Sequence, residues 1–85
     1  MIPTNQEISR KLREQANQLA KSGDNLYRIR AFRQAAMAVM ALDEEVASIV
    51  TTNGQQALEQ FPGIWKSLAE TIANFVLSGG VGTGR

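Results

Sequence analysis

Three arginines within six positions, Arg28, Arg30 and Arg33, and the turn Phe61-Pro62-Gly63-Ile64-Trp65-Lys66-Ser67 are the parts of this 85-residue chain whose types and spacing could do chemistry. Arginine is always charged and presents a planar fork of donors suited to phosphate or carboxylate. Pro62 and Gly63 make a sharp turn, with Ile64 plugging the flanking helices together. The amides of Gly63, Ile64, Trp65 and Lys66 are then left at a helix start. Unpaired amides at the positive end of a helix dipole can receive a phosphate oxygen. Lys66 would add a charge-assisted contact and Ser67 a hydroxyl. An ordinary corner between two helices accounts for the same segment. The arginines also cluster near a helix beginning, where the dipole favours anions, so a negative partner is called for. A phosphate would serve, and so would Asp24.

Other chemistries fall away on inventory. The chain has no histidine and no cysteine, which removes the commonest general base, thiolate zinc sites, paired-thiol redox chemistry and disulfide staples. Any metal would need oxygen ligands, and no metal site is expected. Carboxylate or lysine chemistry remains open. The net charge of +1 conceals an asymmetry: residues 1–33 carry +4 and residues 34–85 carry −3. Such a distribution marks an anion-binding face or serves solubility alone. No run approaches the roughly 18 apolar residues of a membrane span, and the start lacks a secretory signal pattern. A cytoplasmic address without a membrane partner is the expectation.

The elements that must position these residues are helical. Thr4 and Glu7 form a capping box for a first helix over about Asn5 to Lys21, with Ile8, Leu12, Ala16, Leu19 and Ala20 on its inner face and Ser22-Gly23 as its stop. Its outer face carries Arg10, Lys11, Arg13 and Glu14, the pattern of a solvated surface. Asp24-Asn25 start a second helix running to about Leu42, with a stripe of Ile29, Phe32, Ala36, Val39 and Met40 and five alanines that permit close helix approach. Asp43 is expected to cap a third helix carrying Val46, Ile49 and Val50, with Glu44 and Glu45 in its first turn and Asn53-Gly54 at its end. A short element over Gln55 to Gln60 precedes the turn. A last helix from about Trp65 to Leu77 turns Leu68, Ile72, Phe75 and Val76 inward and stops at Ser78-Gly79. No segment alternates with period two. The fold class is all-α, a compact bundle of four to five short helices, with one domain over 1–78 and a flexible Gly-rich tail over 79–85.

Three stretches together resemble a known family: Asn5-Gln-Glu-Ile8 with Leu12 and Leu19; Gly23-Asp-Asn-Leu-Tyr-Arg-Ile-Arg-Ala-Phe-Arg-Gln-Ala-Ala36; and Phe61-Pro-Gly-Ile64 with Ala69 and Ile72. The last is similar to a helix-hairpin-helix motif. The whole, spanning about residues 5 to 79, resembles the amino-terminal domain of X-family DNA polymerases and its free-standing bacterial relatives. The resemblance implies a domain that binds DNA phosphates without reading sequence. Hairpin amides grip the backbone, a monovalent cation sits on the hairpin carbonyls, and a basic residue at the position of Arg28 holds a 5′-phosphate at a gap. Arg30 and Arg33 match positions that are commonly basic, and Phe32 matches an aromatic one.

Two positions depart from the family pattern. The second hairpin glycine is Trp65 here, whose indole blocks close approach of a phosphate, stacks on an unpaired base, or covers the core or a protein partner. The lysine that forms a Schiff base in the family's deoxyribose-phosphate lyases is Thr71, which has no amine. Lys66 is the one lysine in the second half of the chain and lies a turn or more away. The expectation is a non-enzymatic DNA-binding module using Arg28, Arg30, Arg33 and the hairpin from Pro62 through Ser67. The alternatives are a protein-interaction domain anchored by Trp65 and a lyase using Lys66.

Overall fold

Thr4 and Glu7 satisfy each other's backbone. The Glu7 N–H donates to Thr4 Oγ1 at 3.2 Å and the Thr4 N–H donates to Glu7 Oε1 at 2.9 Å. From this capping box, the computed structural model, which describes residues 3–79, runs helix α1 over Asn5–Lys21. The helix stops as its sequence requires. Gly23 takes φ +74°, its N–H reaches the Ala20 carbonyl at 3.2 Å, and the Asp24 N–H reaches Leu19 at 2.9 Å. Those two bonds are the paired closure that a left-handed glycine permits. Helix α2 follows over Leu26–Ala41, capped by the Asn25 side chain, which accepts from the Tyr27 N–H at 2.7 Å. Helix α3 covers Val46–Asn53, a 3-10 helix covers Gln55–Gln60, and α4 covers Lys66–Gly79. Among the described residues there is no strand, and the fold is all-α as its periodicity demands.

Helices α1 and α2 form the most extensive pairing, as neighbours joined by a short link. Their seam is built from small residues. Ala16, Ala35 and Ala36 are buried, and the fully buried Ser9 donates its hydroxyl to the Ala36 carbonyl at 2.9 Å. Small side chains let the backbones approach closely, and the serine is tolerated because its polar atom is partnered. Ser9 Oγ in turn accepts from Arg13 Nη1 at 3.2 Å, which holds one outer-face arginine against the seam. Helix α4 packs on α1, α2, α3 and the 3-10 helix. Leu58, Ile64 and Ile72 are 1% exposed or less at that junction. Each fully buried side chain of this size contributes about 1.5–3 kcal/mol relative to exposure.

Several inner-face expectations are corrected. Ala20 is exposed, because α1 is reaching its end there and α2 has not yet begun. Met40 is 50% exposed, because α2 turns Ala35, Ala36 and Val39 into the core and leaves that flank without a neighbour. Phe75 is only partly buried and lies 5.8 Å from Lys11 Nζ, which covers its ring. Asp43 does not cap α3. The helix begins at Val46, and its cap comes from α1: Asn5 Oδ1 accepts from the Val46 N–H at 2.7 Å, while Asn5 Nδ2 donates to the Glu44 carbonyl at 2.8 Å. The Asn5 N–H closes the bridge on Glu45 Oε1 at 3.0 Å, so Glu44 and Glu45 precede α3 rather than forming its first turn. Helix α4 starts at Lys66 and includes Ser78 and Gly79. The expected tail lies outside the described residues from residue 80 onward.

The bridge carries a prediction. Asn5→Ala removes both side-chain bonds and leaves the buried Val46 N–H without its acceptor. The expected loss is about 1–3 kcal/mol in urea unfolding. An unchanged midpoint would show that α3 needs no cap from α1.

Candidate nucleic-acid interface

The turn between the 3-10 helix and α4 is closed by one backbone bond, from the Ile64 N–H to the Phe61 carbonyl at 3.1 Å. Proline second and a glycine third with φ +89° are what a four-residue turn of this hand requires. Ile64 behind it is 1% exposed and plugs the corner. Gly63 presses on α2. A Cβ placed on it would lie 3.3 Å from Ala38 Cβ and 3.6 Å from the Gln34 carbonyl oxygen. The hairpin therefore rests on the Gln34–Ala38 turn of α2, and only a glycine fits there without displacing the alanine.

This seat shows which predicted residues come together. From Ala38, Arg30 lies roughly 12 Å along the axis and about 80° around it, and from Gln34 about 40° around, so of the three arginines it is turned least from the hairpin's seat. Arg33, three residues on, neighbours Arg30 on the same flank at about 140° from Ala38, while Arg28 lies on the other flank, about 80° around and roughly 15 Å along the axis from Ala38. All three are exposed. Arg28 Nη1 pairs with Asp24 Oδ2 at 3.2 Å, with the arginine side chain 60% exposed. A solvent-exposed pair four residues apart is worth less than about 1 kcal/mol, so Asp24 competes only weakly with a phosphate. Arg30 and Arg33 form no ion pair among the described residues.

Pro62, Trp65, Lys66 and Ser67 are exposed, while Gly63 is half-buried and Ile64 buried. One expectation about the amides is corrected: the Ile64 N–H is not free, because it closes the turn. The N–H groups of Gly63, Trp65, Lys66 and Ser67 have no acceptor among the described residues, and the first to bond back is Ala69, to the Trp65 carbonyl at 2.7 Å. The contrast with the other helices is informative. Helices α1, α2 and α3 start under the side chains of Thr4, Asn25 and Asn5. Among the described residues no side chain accepts from the start of α4, and its first turn carries no acidic residue. Its positive end stays open to an anion.

Thr71 directs its hydroxyl to the Ser67 carbonyl at 3.1 Å, within α4. No group of three or more His, Cys, Asp or Glu side chains among the described residues could hold a metal ion. The two residues that sequence reasoning missed are Gln34 and Ala38, which seat the hairpin. Their signal was present in the alanine-rich run of α2, but which alanine receives which turn is a matter of packing.

Gly63→Ala tests the seat. The left-handed backbone costs about 1–2 kcal/mol with a Cβ, and the methyl meets Ala38 besides. Chemical denaturation should register at least that loss, and a variant as stable as the parent would mean the hairpin does not rest on α2 as described.

A family model described as a helix-hairpin-helix domain matches residues 3–80. No curated protein and no solved structure matches the chain. The matched span takes in all four α-helices and the turn at Pro62-Gly63, and the chain belongs to the helix-hairpin-helix domain family.

Proposed function

We propose that this chain, whose helix-hairpin-helix family commonly binds nucleic acid, binds DNA through phosphates, without reading base sequence, across the hairpin and the start of α4. The observation that carries this reading is the set of amides at Gly63, Trp65, Lys66 and Ser67 that have no acceptor among the described residues, at the start of α4, where α1, α2 and α3 each begin under a side-chain cap. A phosphate oxygen placed there receives N–H donors and the helix dipole together. Lys66 adds charge and Ser67 a hydroxyl. Arg30, one turn from the seat of Gly63, extends the contact along the backbone, and Arg28 and Arg33 bind phosphates further from the turn. By its likeness to the X-family polymerase domain, the preferred ligand is a gap or an end bearing a 5′-phosphate. The carbonyls of Pro62, Gly63 and Ile64 accept no hydrogen bond among the described residues, which suits a monovalent cation at the same turn.

The proposed role is non-catalytic. The residue at the Schiff-base position is Thr71, whose hydroxyl already serves as a donor within its own helix. Lys66 acts as a phosphate contact in this reading.

Fluorescently labelled gapped DNA titrated at two salt concentrations provides the test. Non-specific contacts of this number give dissociation constants of about 10⁻⁴–10⁻⁶ M at physiological salt, tightening as salt falls. Arg30→Ala should weaken binding alike on unrelated sequences and reduce the slope of log affinity against log salt by about 0.7–0.9. Absence of binding in low salt at tens of micromolar protein sinks the proposal.

A further inference from the structure

The hairpin carries a large apolar group that its own core does not use. Trp65, the chain's single tryptophan, is 65% exposed. The apolar demand of the corner is met without it. Ile64 on one side is 1% exposed and Leu68, three residues on, is 3% exposed. The backbone that bears the indole is held at both edges, by the Ile64 N–H on the Phe61 carbonyl and by the Trp65 carbonyl on the Ala69 N–H. The indole is thus an exposed aromatic face on an immobilised backbone.

Its surroundings are those of a nucleic-acid contact. Pro62, Lys66 and Ser67 beside it are exposed, and no acidic residue occupies the first turn of α4. A protein-docking surface would call for a contiguous apolar patch with the tryptophan at its centre. The other exposed large apolar groups lie elsewhere. Leu77 is twelve residues along α4, roughly 18 Å away, Leu26 and Tyr27 are at the start of α2, roughly 16 Å or more along its axis from Ala38, and Met37 and Met40 lie about 100° or more around α2 from that seat. No second exposed large apolar group adjoins Trp65 along the hairpin.

We infer that Trp65 is a base-stacking platform, and that it gives the hairpin a preference for unpaired DNA over fully paired duplex. The inference rests on the phosphate-binding reading above. With a phosphate on the amides of the turn, a base of the same strand comes within reach of the indole. Every base has a π-face, so the contact is tolerant of sequence. Within a duplex those faces are occupied by neighbouring bases, and the indole finds no partner except at an end. The side chain that stands where the family pattern has a second glycine therefore adds affinity for a single strand and none for paired duplex.

The single indole serves as its own reporter. The full chain is titrated with a single-stranded oligonucleotide and, separately, with blunt duplex of the same length, following indole emission. In parallel, labelled-DNA anisotropy records affinity for the parent, Trp65→Ala and Trp65→Phe. Stacking should quench the emission with the single strand and leave it nearly unchanged with duplex. Trp65→Ala should lose about 5–150-fold in single-strand affinity while keeping its duplex affinity, and Trp65→Phe should recover most of the loss. Circular dichroism of each variant confirms the fold. If the parent binds DNA with the expected salt dependence but its emission does not respond and Trp65→Ala binds the single strand equally well, the stacking inference is overturned and the phosphate reading survives. If the parent binds no DNA, both are overturned. If emission changes with protein concentration alone, a second copy covers the indole and the stacking role is likewise overturned.

Discussion

The contact between Gly63 and the Gln34–Ala38 turn of α2 is the constraint on which the rest of the interface depends. It joins the helical pair α1–α2, where the positive charge is, to the hairpin and α4, where the open amides are. With a Cβ at that position, Ala38 or the turn would have to give by a few tenths of an ångström, and the left-handed backbone would be strained besides. A missing Cβ thereby helps to seat the hairpin against a helix more than twenty residues earlier in the chain.

The helix starts tell a consistent story about polar satisfaction. Backbone N–H groups at a helix start need acceptors, and α1, α2 and α3 receive them from side chains, one of these crossing from α1. The effort at α3 is considerable: a buried asparagine makes three bonds across the interface between α1 and the start of α3. Against that background the start of α4 differs from the other three α-helices in having no side-chain cap among the described residues. Phosphate oxygens are strong acceptors, and this start faces solvent beside exposed Lys66 and Ser67.

The arginines differ in what they touch within the fold. Arg13 is held to Ser9 at the α1–α2 seam and Arg28 is paired to Asp24. Arg30 and Arg33 make no ion pair among the described residues. The charge of +4 over residues 1–33 is spread around the helices: Arg30 and Arg33, three residues apart, share one side of α2, while Arg28 lies about 160° around from Arg30.

Where interactions are local, the sequence alone determined the structure. Thr4 with Glu7, Ser22 with Gly23, Asn25 before α2, and Pro62 with Gly63 are each decided within three or four residues, and both limits of α1 and the position of the hairpin follow from them. The all-α class follows too, because helical periodicity is a property of neighbours. Tertiary structure alone decided the cap of α3, the exposure of Met40, and which side of α2 the hairpin rests on. Asn5 displaces Asp43 as the cap because α1 brings it there from some forty residues away, and a residue's partner across an interface is not written in its neighbours. Arg28, Arg30 and Arg33 look equivalent along the chain. They differ in the molecule because a helix turns about 100° per residue, and only the packing of Gly63 on Ala38 selects which side of that helix the hairpin sees.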